Sequence, residues 1–148
     1  VNQCQTDIAI TESRVKGVRI YHLRNIVDPE RGNLTVGEFG SEVPFVPQRY
    51  FLTYDIPHRT TRGEHAHRRC HQFLISVRGS CSVKTDDGIN SHEFTLHHPT
   101  IGIYVPPMVW TTEYKHSADS ILMVFASDHY DPADYLRDYD EFLRLVGS

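Results

Sequence analysis

The chain has 148 residues, 39% hydrophobic and 23% charged, with a net charge of -4. That size suits one domain with its own buried core, and the balance excludes a disordered chain. A mildly acidic chain has no global basic field for nucleic acid or an anionic membrane, so an anionic small substrate needs locally gathered arginines. No apolar run approaches the ~20 residues of a membrane span. Residues 1–11 lack the basic segment and apolar core of a secretory signal. Cys4, Cys70 and Cys81 are too few and too scattered for a disulfide framework, which predicts a reduced, cytoplasmic protein. The chain begins at Val1, which leaves open a piece of a longer, bifunctional protein.

A polar arm over residues 1–17 comes first. β-rich runs follow at Val18–Leu23, Arg49–Ile56, Gln72–Val77, Ser80–Thr85, Glu93–Leu96, Ile101–Val105, Val109–Tyr114 and Ile121–Ala126. Turn formers punctuate them, among them Asp28-Pro29, Arg31-Gly32-Asn33, Arg78-Gly79-Ser80, His98-Pro99 and Pro106-Pro107. Many short runs with regular turns predict an all-β antiparallel sandwich or barrel. Asp86-Asp87-Gly88 predicts a hairpin turn, because glycine accepts the positive φ such turns need. Only the C-terminus reads as helix. Asp131 is its cap and Pro132 its first turn, and Tyr135, Tyr139, Phe142 and Val146, with Leu136 and Leu143 beside them, form one apolar stripe laid over the sheet.

The chemistry concentrates in Arg62-Gly63-Glu64-His65-Ala66-His67. Histidines two apart on a strand share a face, with Cβ atoms roughly 7 Å apart. Gly63 lets the backbone turn tightly or approach a ligand. Two imidazoles on one face beside a glycine favour a functional site over a structural pair. His22, His58, His92, His97, His98, His116 and His129 scatter among turns and strand ends and read as surface residues.

The spacing resembles the first motif of the cupins: glycine, His-x-His, an acidic ligand a few residues on, and a further glycine. His71 or Gln72 stands where the acid belongs. The second cupin motif, Pro-x-Gly-x-x-His, is matched by Pro106-Pro107-Met108-Val109-Trp110-Thr111, where the glycine has become Met108 and the ligand histidine Thr111. Both losses argue against a metal. A metal-dependent cupin would have to rely on His65, His67 and His71.

The order of further segments narrows the resemblance to the sugar 3,4-ketoisomerases, from about Ile20 to Leu143. They include Pro44-Phe45, Gln48-Arg49-Tyr50-Phe51, His71-Gln72-Phe73-Leu74-Ile75, Gly102-Ile103-Tyr104-Val105-Pro106-Pro107, Val109-Trp110, Ala126 to Asp131 and Asp134 to Asp140. The resemblance implies a cupin-type jelly roll and an enzyme without metal or cofactor. It implies that the enzyme moves the carbonyl of dTDP-4-keto-6-deoxyglucose from C4 to C3, ahead of 3-amination in deoxyamino-sugar and surface-glycan synthesis. It also implies a homodimer that exchanges N-terminal strands.

Imidazole suits that chemistry, because the base must be neutral near pH 7. The family motif makes His65 the base at C3 and His67 its partner, which stabilises the enediolate or shuttles a proton. Arg49 and Arg62, at family-matching positions, are expected to hold the diphosphate through the planar guanidinium. Arg31 falls where the family faces the sugar. Gln72, Tyr104 and Trp110 complete the expected substrate contacts, with structural readings for each beside them. Thr111 departs from the frequent histidine, and with Arg31 it leaves the product's C4 configuration open between a galacto lean and its epimer. A non-catalytic sugar-nucleotide-binding module is the remaining alternative.

Overall fold

The computed structural model describes residues 4–5 and 7–147. In chain order the strands are β1 Cys4–Gln5, β2 Ala9–Glu12, β3 Arg19–His22, β4 Arg24–Val27, β5 Leu34–Val36, β6 Arg49–Tyr54, β7 Arg62–His67, β8 Gln72–Arg78 and β9 Cys81–Asp86. They continue with β10 Ser91–Leu96, β11 Ile101–Val105, β12 Trp110–Tyr114, β13 Ile121–Ala126 and β14 Tyr135–Leu136. Among the described residues one α-helix, α1 Tyr139–Val146, follows these strands. A five-stranded sheet runs β10-β9-β12-β7-β14 and a six-stranded sheet β2-β3-β11-β8-β13-β6, with β1-β4-β5 as a small third sheet. Every strand pairing is antiparallel.

Alternation decides which side chains face inward. Leu122, Val124 and Ala126 of β13 are buried, while Ile121, Met123 and Phe125 between them are only half-buried. Between the two large sheets lies a core of Leu74, Val83, Leu96, Ile103, Val105, Val109, Leu122 and Val124. A second cluster covers the outer face of the six-stranded sheet, with Tyr21, Phe73 and Tyr104 under Val43 and Phe45. A third, of Ala66, Trp110, Leu136 and Phe142, fixes α1 to the outer face of the five-stranded sheet.

The predicted strands are present, and β7 spans Arg62 to His67 as read. The hairpin also forms. β9 and β10 pair from Asp86 against Ser91, Gly88 sits at φ +93°, and the Asp87 carboxylate accepts the N–H groups of Ile89 and Asn90 at 2.9 and 2.7 Å. The C-terminal helix needs a correction. Asp131 caps a single 3₁₀ turn, Pro132–Asp134, and Tyr135–Leu136 then pairs with β7 as a strand. The true N-cap is Asp138, whose carboxylate accepts the Glu141 N–H at 3.0 Å. His116 is a second correction, for it is fully buried, not a surface residue. No helix among the described residues is long and apolar enough to cross a membrane.

Candidate active site

Strand β7 carries the histidines past an irregularity. Thr111 of β12 pairs with His65, but Thr112 pairs with Gly63, leaving Glu64 as an extra residue. Gly63 and Glu64 both adopt positive φ, +79° and +56°. Such a bulge increases local twist and re-aims the side chains beyond it. A Cβ on Gly63 would lie 2.8 Å from the Thr111 carbonyl oxygen, a backbone atom that cannot swing aside. Gly63→Ala is therefore expected to cost about 2–5 kcal/mol, combining overpacking with left-handed strain. Chemical denaturation checks this.

His65 is half-buried, and its Nδ1 lies 3.0 Å from the Gly63 carbonyl. Nδ1–H donates there, so Nε2 keeps its lone pair. Burial pushes the imidazole down to about 4 against the pull of that carbonyl, and His67, Arg137 and Arg49 add to the fall. His65 is thus neutral throughout the physiological range.

His67 is buried and donates Nδ1–H to Asp134 Oδ2 at 2.9 Å. Asp134, itself buried, also accepts the backbone N–H groups of Arg69 and Cys70 at 2.7 and 3.3 Å. These bonds fix the carboxylate, and the carboxylate fixes the tautomer of His67. Burial lowers the His67 pKa more than Asp134 raises it. Its Nε2 is buried without a partner. The two rings stand perpendicular, 5.0 Å apart, and the Tyr135 ring packs within 4.9 Å of His65 and 4.5 Å of His67. The guanidinium of Arg137 lies 4.4 Å over Tyr135. Arg49 donates to the Asp128 carbonyl at 3.0 Å and reaches the Tyr135 hydroxyl at 3.4 Å.

Register places the expected residues in three groups. Thr111, opposite His65 on β12 and Thr85 on β9, faces the interior. Gln72 and Arg49 both pair with Ala126, on the inner face of the six-stranded sheet. Arg62, at the exposed start of β7, pairs with Glu113. Trp110, Tyr104 and Arg31 are not brought to the histidines. Trp110 packs under α1, 5.1 Å from Tyr139 and 5.6 Å from Phe142, on the opposite face of the sheet. Tyr104 pairs with Phe73 on the outer face of the other sheet, and its hydroxyl is 2.6 Å from His71 Nδ1. Arg31 lies on the turn after β4, its side chain 75% exposed and its Nε–H donating to Asp28 at 2.9 Å.

His71 therefore joins Tyr104 and Phe45, not His65 and His67. Among the described residues, the potential ligand atoms that lie within 4.8 Å of one another belong to His67, Cys70 and Asp134. Asp134 already accepts three N–H groups, one of them from His67, so this cluster works as a hydrogen-bonded support for the imidazole. Asp134, Tyr135 and Arg137 escaped the sequence reading because they were placed on a helix. The sequence signal was Asp138-Tyr139-Asp140-Glu141, a better capping box than Asp131-Pro132.

The family model described as FdtA, WxcM-like, C-terminal matches residues 16–147. A TDP-4-oxo-6-deoxy-alpha-D-glucose-3,4-oxoisomerase from Aneurinibacillus thermoaerophilus is 38% identical over 130 residues, covering 88% of this chain and 93% of the relative. The WlaRB TDP-quinovose 3,4-ketoisomerase of Campylobacter jejuni superposes with a TM-score of 0.83 at 41% identity, covering 88% and 99% of the two chains. A mutant of the 3,4-ketoisomerase QdtA from Thermoanaerobacterium thermosaccharolyticum, solved with TDP-4-keto-6-deoxyglucose, gives 0.85 at 29% identity, covering 89% and 95%. The fold is the antiparallel cupin jelly roll, and the chain belongs to the FdtA family, described as WxcM-like, C-terminal.

Proposed function

We propose that the chain is a sugar-nucleotide 3,4-ketoisomerase. It moves the keto group of a dTDP-4-keto-6-deoxyhexose from C4 to C3 through an enediol. One observation carries the reading: two neutral imidazoles sit side by side, each with Nδ1–H tied to an acceptor and Nε2 free. His65 Nε2 takes the C3 hydrogen, which the neighbouring ketone acidifies. His67 Nε2 accepts the proton that leaves the C3 hydroxyl as the new ketone forms, and Asp134 stabilises the resulting imidazolium. Arg49 and Arg62 hold the diphosphate, and Gln72 and Thr111 line the sugar. The 3-keto product is a substrate for 3-amination. Incubation with dTDP-4-keto-6-deoxyglucose should yield the 3-keto isomer by NMR, unaffected by chelators. Affinity for dTDP without turnover would favour the binding-module reading instead.

The base form of His65 persists well below neutrality because its pKa is about 4. The acid limb of kcat/KM is therefore expected near pH 4, and not near the ordinary histidine value of about 6.5. A limb at 6.5 in a pH–rate profile would contradict His65 as the base.

A homodimer completes the proposal. Tyr50, Leu52 and Tyr54 project from the outer face of edge strand β6, exposed at 63%, 43% and 62%, with Val46, Phe39 and Val77 also exposed. Contiguous exposed apolar surface of this kind marks an interaction site. Arg31, remote from its own histidines, reaches a sugar only in a neighbouring copy. The chain is expected to sediment at twice 17.1 kDa. Leu52→Asp should yield monomers with kcat/KM reduced at least about tenfold. A fully active monomeric wild type would reject the exchange.

A further inference from the structure

Glu113 stands outside the machinery above. Strand register places it on the inner face of β12, opposite Arg62 on β7 and Val83 on β9. It is two residues along the same face from Thr111, the partner of His65. Its Oε2 lies 3.3 Å from where a Cβ on Gly63 would sit. The carboxyl thus overhangs the residue whose carbonyl holds His65. Carrying the enolate on to the enediol needs a proton donor to the C4 oxygen. As His65 takes the C3 hydrogen, negative charge develops on the C4 oxygen, and neither histidine can neutralise it, since both turn unprotonated Nε2 atoms inward.

Resting on the isomerase reading, we propose that Glu113 is the general acid that protonates the C4 oxygen during enediol formation. The C3–H bond breaks and its proton goes to His65 Nε2, leaving an enolate that can return to substrate; the enolate's C4 oxygen then takes the proton from the Glu113 carboxyl to give the enediol. The second half breaks the O3–H bond, sends that proton to His67 Nε2, forms the C3 ketone and places on C4 a proton from His65, whose Nε2–H exchanges with solvent before it is returned. Exchange with solvent returns a proton to Glu113 and removes one from His67, so no redox partner is needed.

The groups around Glu113 suit this role. Arg62 faces it from β7, Cys81 lies near it on β9, and His116 follows just after β12, while His65 is one pair further along β7, opposite Thr111. Burial outweighs the Arg62 guanidinium and pushes the carboxyl up to about 7. A carboxyl raised in this way carries its proton below that pH and loses it above.

Glu113→Gln, nearly isosteric, tests the assignment in deuterated buffer. Two rates are followed together by NMR: deuterium entering C3 of the remaining substrate, and appearance of the 3-keto product. Glu113→Gln should retain C3 exchange within about tenfold while isomerisation falls about a hundredfold. Wild-type activity is expected to decline above about pH 7, and the residual activity of the variant should lose that decline. The ratio of the two rates does not depend on how much of the sample is folded. A variant whose two rates fall together, or whose ratio and pH profile match wild type, overturns the proposal. Absence of both rates in wild type overturns the isomerase reading, and this proposal with it.

Discussion

His65→Asn is expected to lower turnover of dTDP-4-keto-6-deoxyglucose by about a hundred- to ten-thousandfold, the usual range for losing a general base. Deuterium exchange at C3 should vanish with it, because both readouts need the same proton abstraction. The fold should survive: the ring makes one hydrogen bond, to Gly63, within its own strand. A second consequence follows from linkage. The folded-state pKa of His65 is depressed to about 4. The neutral ring therefore contributes stability that is fully present above about pH 6.5 and is lost as pH falls toward 4. The variant should lose less stability than wild type across that window, as measured by thermal unfolding.

Asp134→Ala should be the most damaging change behind the site. It strips the acceptor from three donors at once, the buried His67 Nδ1–H and Cys70 N–H and the part-buried Arg69 N–H. At about 1–3 kcal/mol for each unsatisfied group, a loss of about 3–5 kcal/mol is expected, with turnover falling at least about a hundredfold. Asp134→Asn separates the two effects. The amide keeps the shape and one acceptor oxygen, but its NH₂ group must meet one of the same donors. Relief comes by moving the His67 proton from Nδ1 to Nε2, which removes the lone pair the reaction needs. Asp134→Asn should therefore lose turnover with a smaller loss of stability. Equal turnover in Asp134→Asn and wild type would remove the tautomer from the account.

The strand pattern was legible because alternation and turn formers are local signals. The His-x-His was legible because period two puts both rings on one face. Three of the expected site residues were misplaced for a common reason. Trp110, Tyr104 and Arg31 sit beside real site segments, but which face of a strand is interior depends on the partner sheet, and no local pattern carries that. Tyr104 alternates with Ile103 and Val105, and Ile103 and Val105 took the inner face. The Gly63–Glu64 bulge shifts the phase of β7 against β12, so Arg62 shares the inward side with His65 despite an odd spacing. Asp134 and Tyr135 were hidden by a helical stripe that begins four residues too early. Tyr135 and Leu136 read as its first turn, yet the chain spends them on pairing with His67 and Ala66.

The central claim is that His65 and His67 isomerise a 4-keto sugar nucleotide by proton transfer through an enediol. The most direct measurement is NMR of dTDP-4-keto-6-deoxyglucose incubated with the protein in deuterated buffer. The account predicts the 3-keto isomer carrying solvent deuterium at C4. No product and no exchange at either carbon would contradict it.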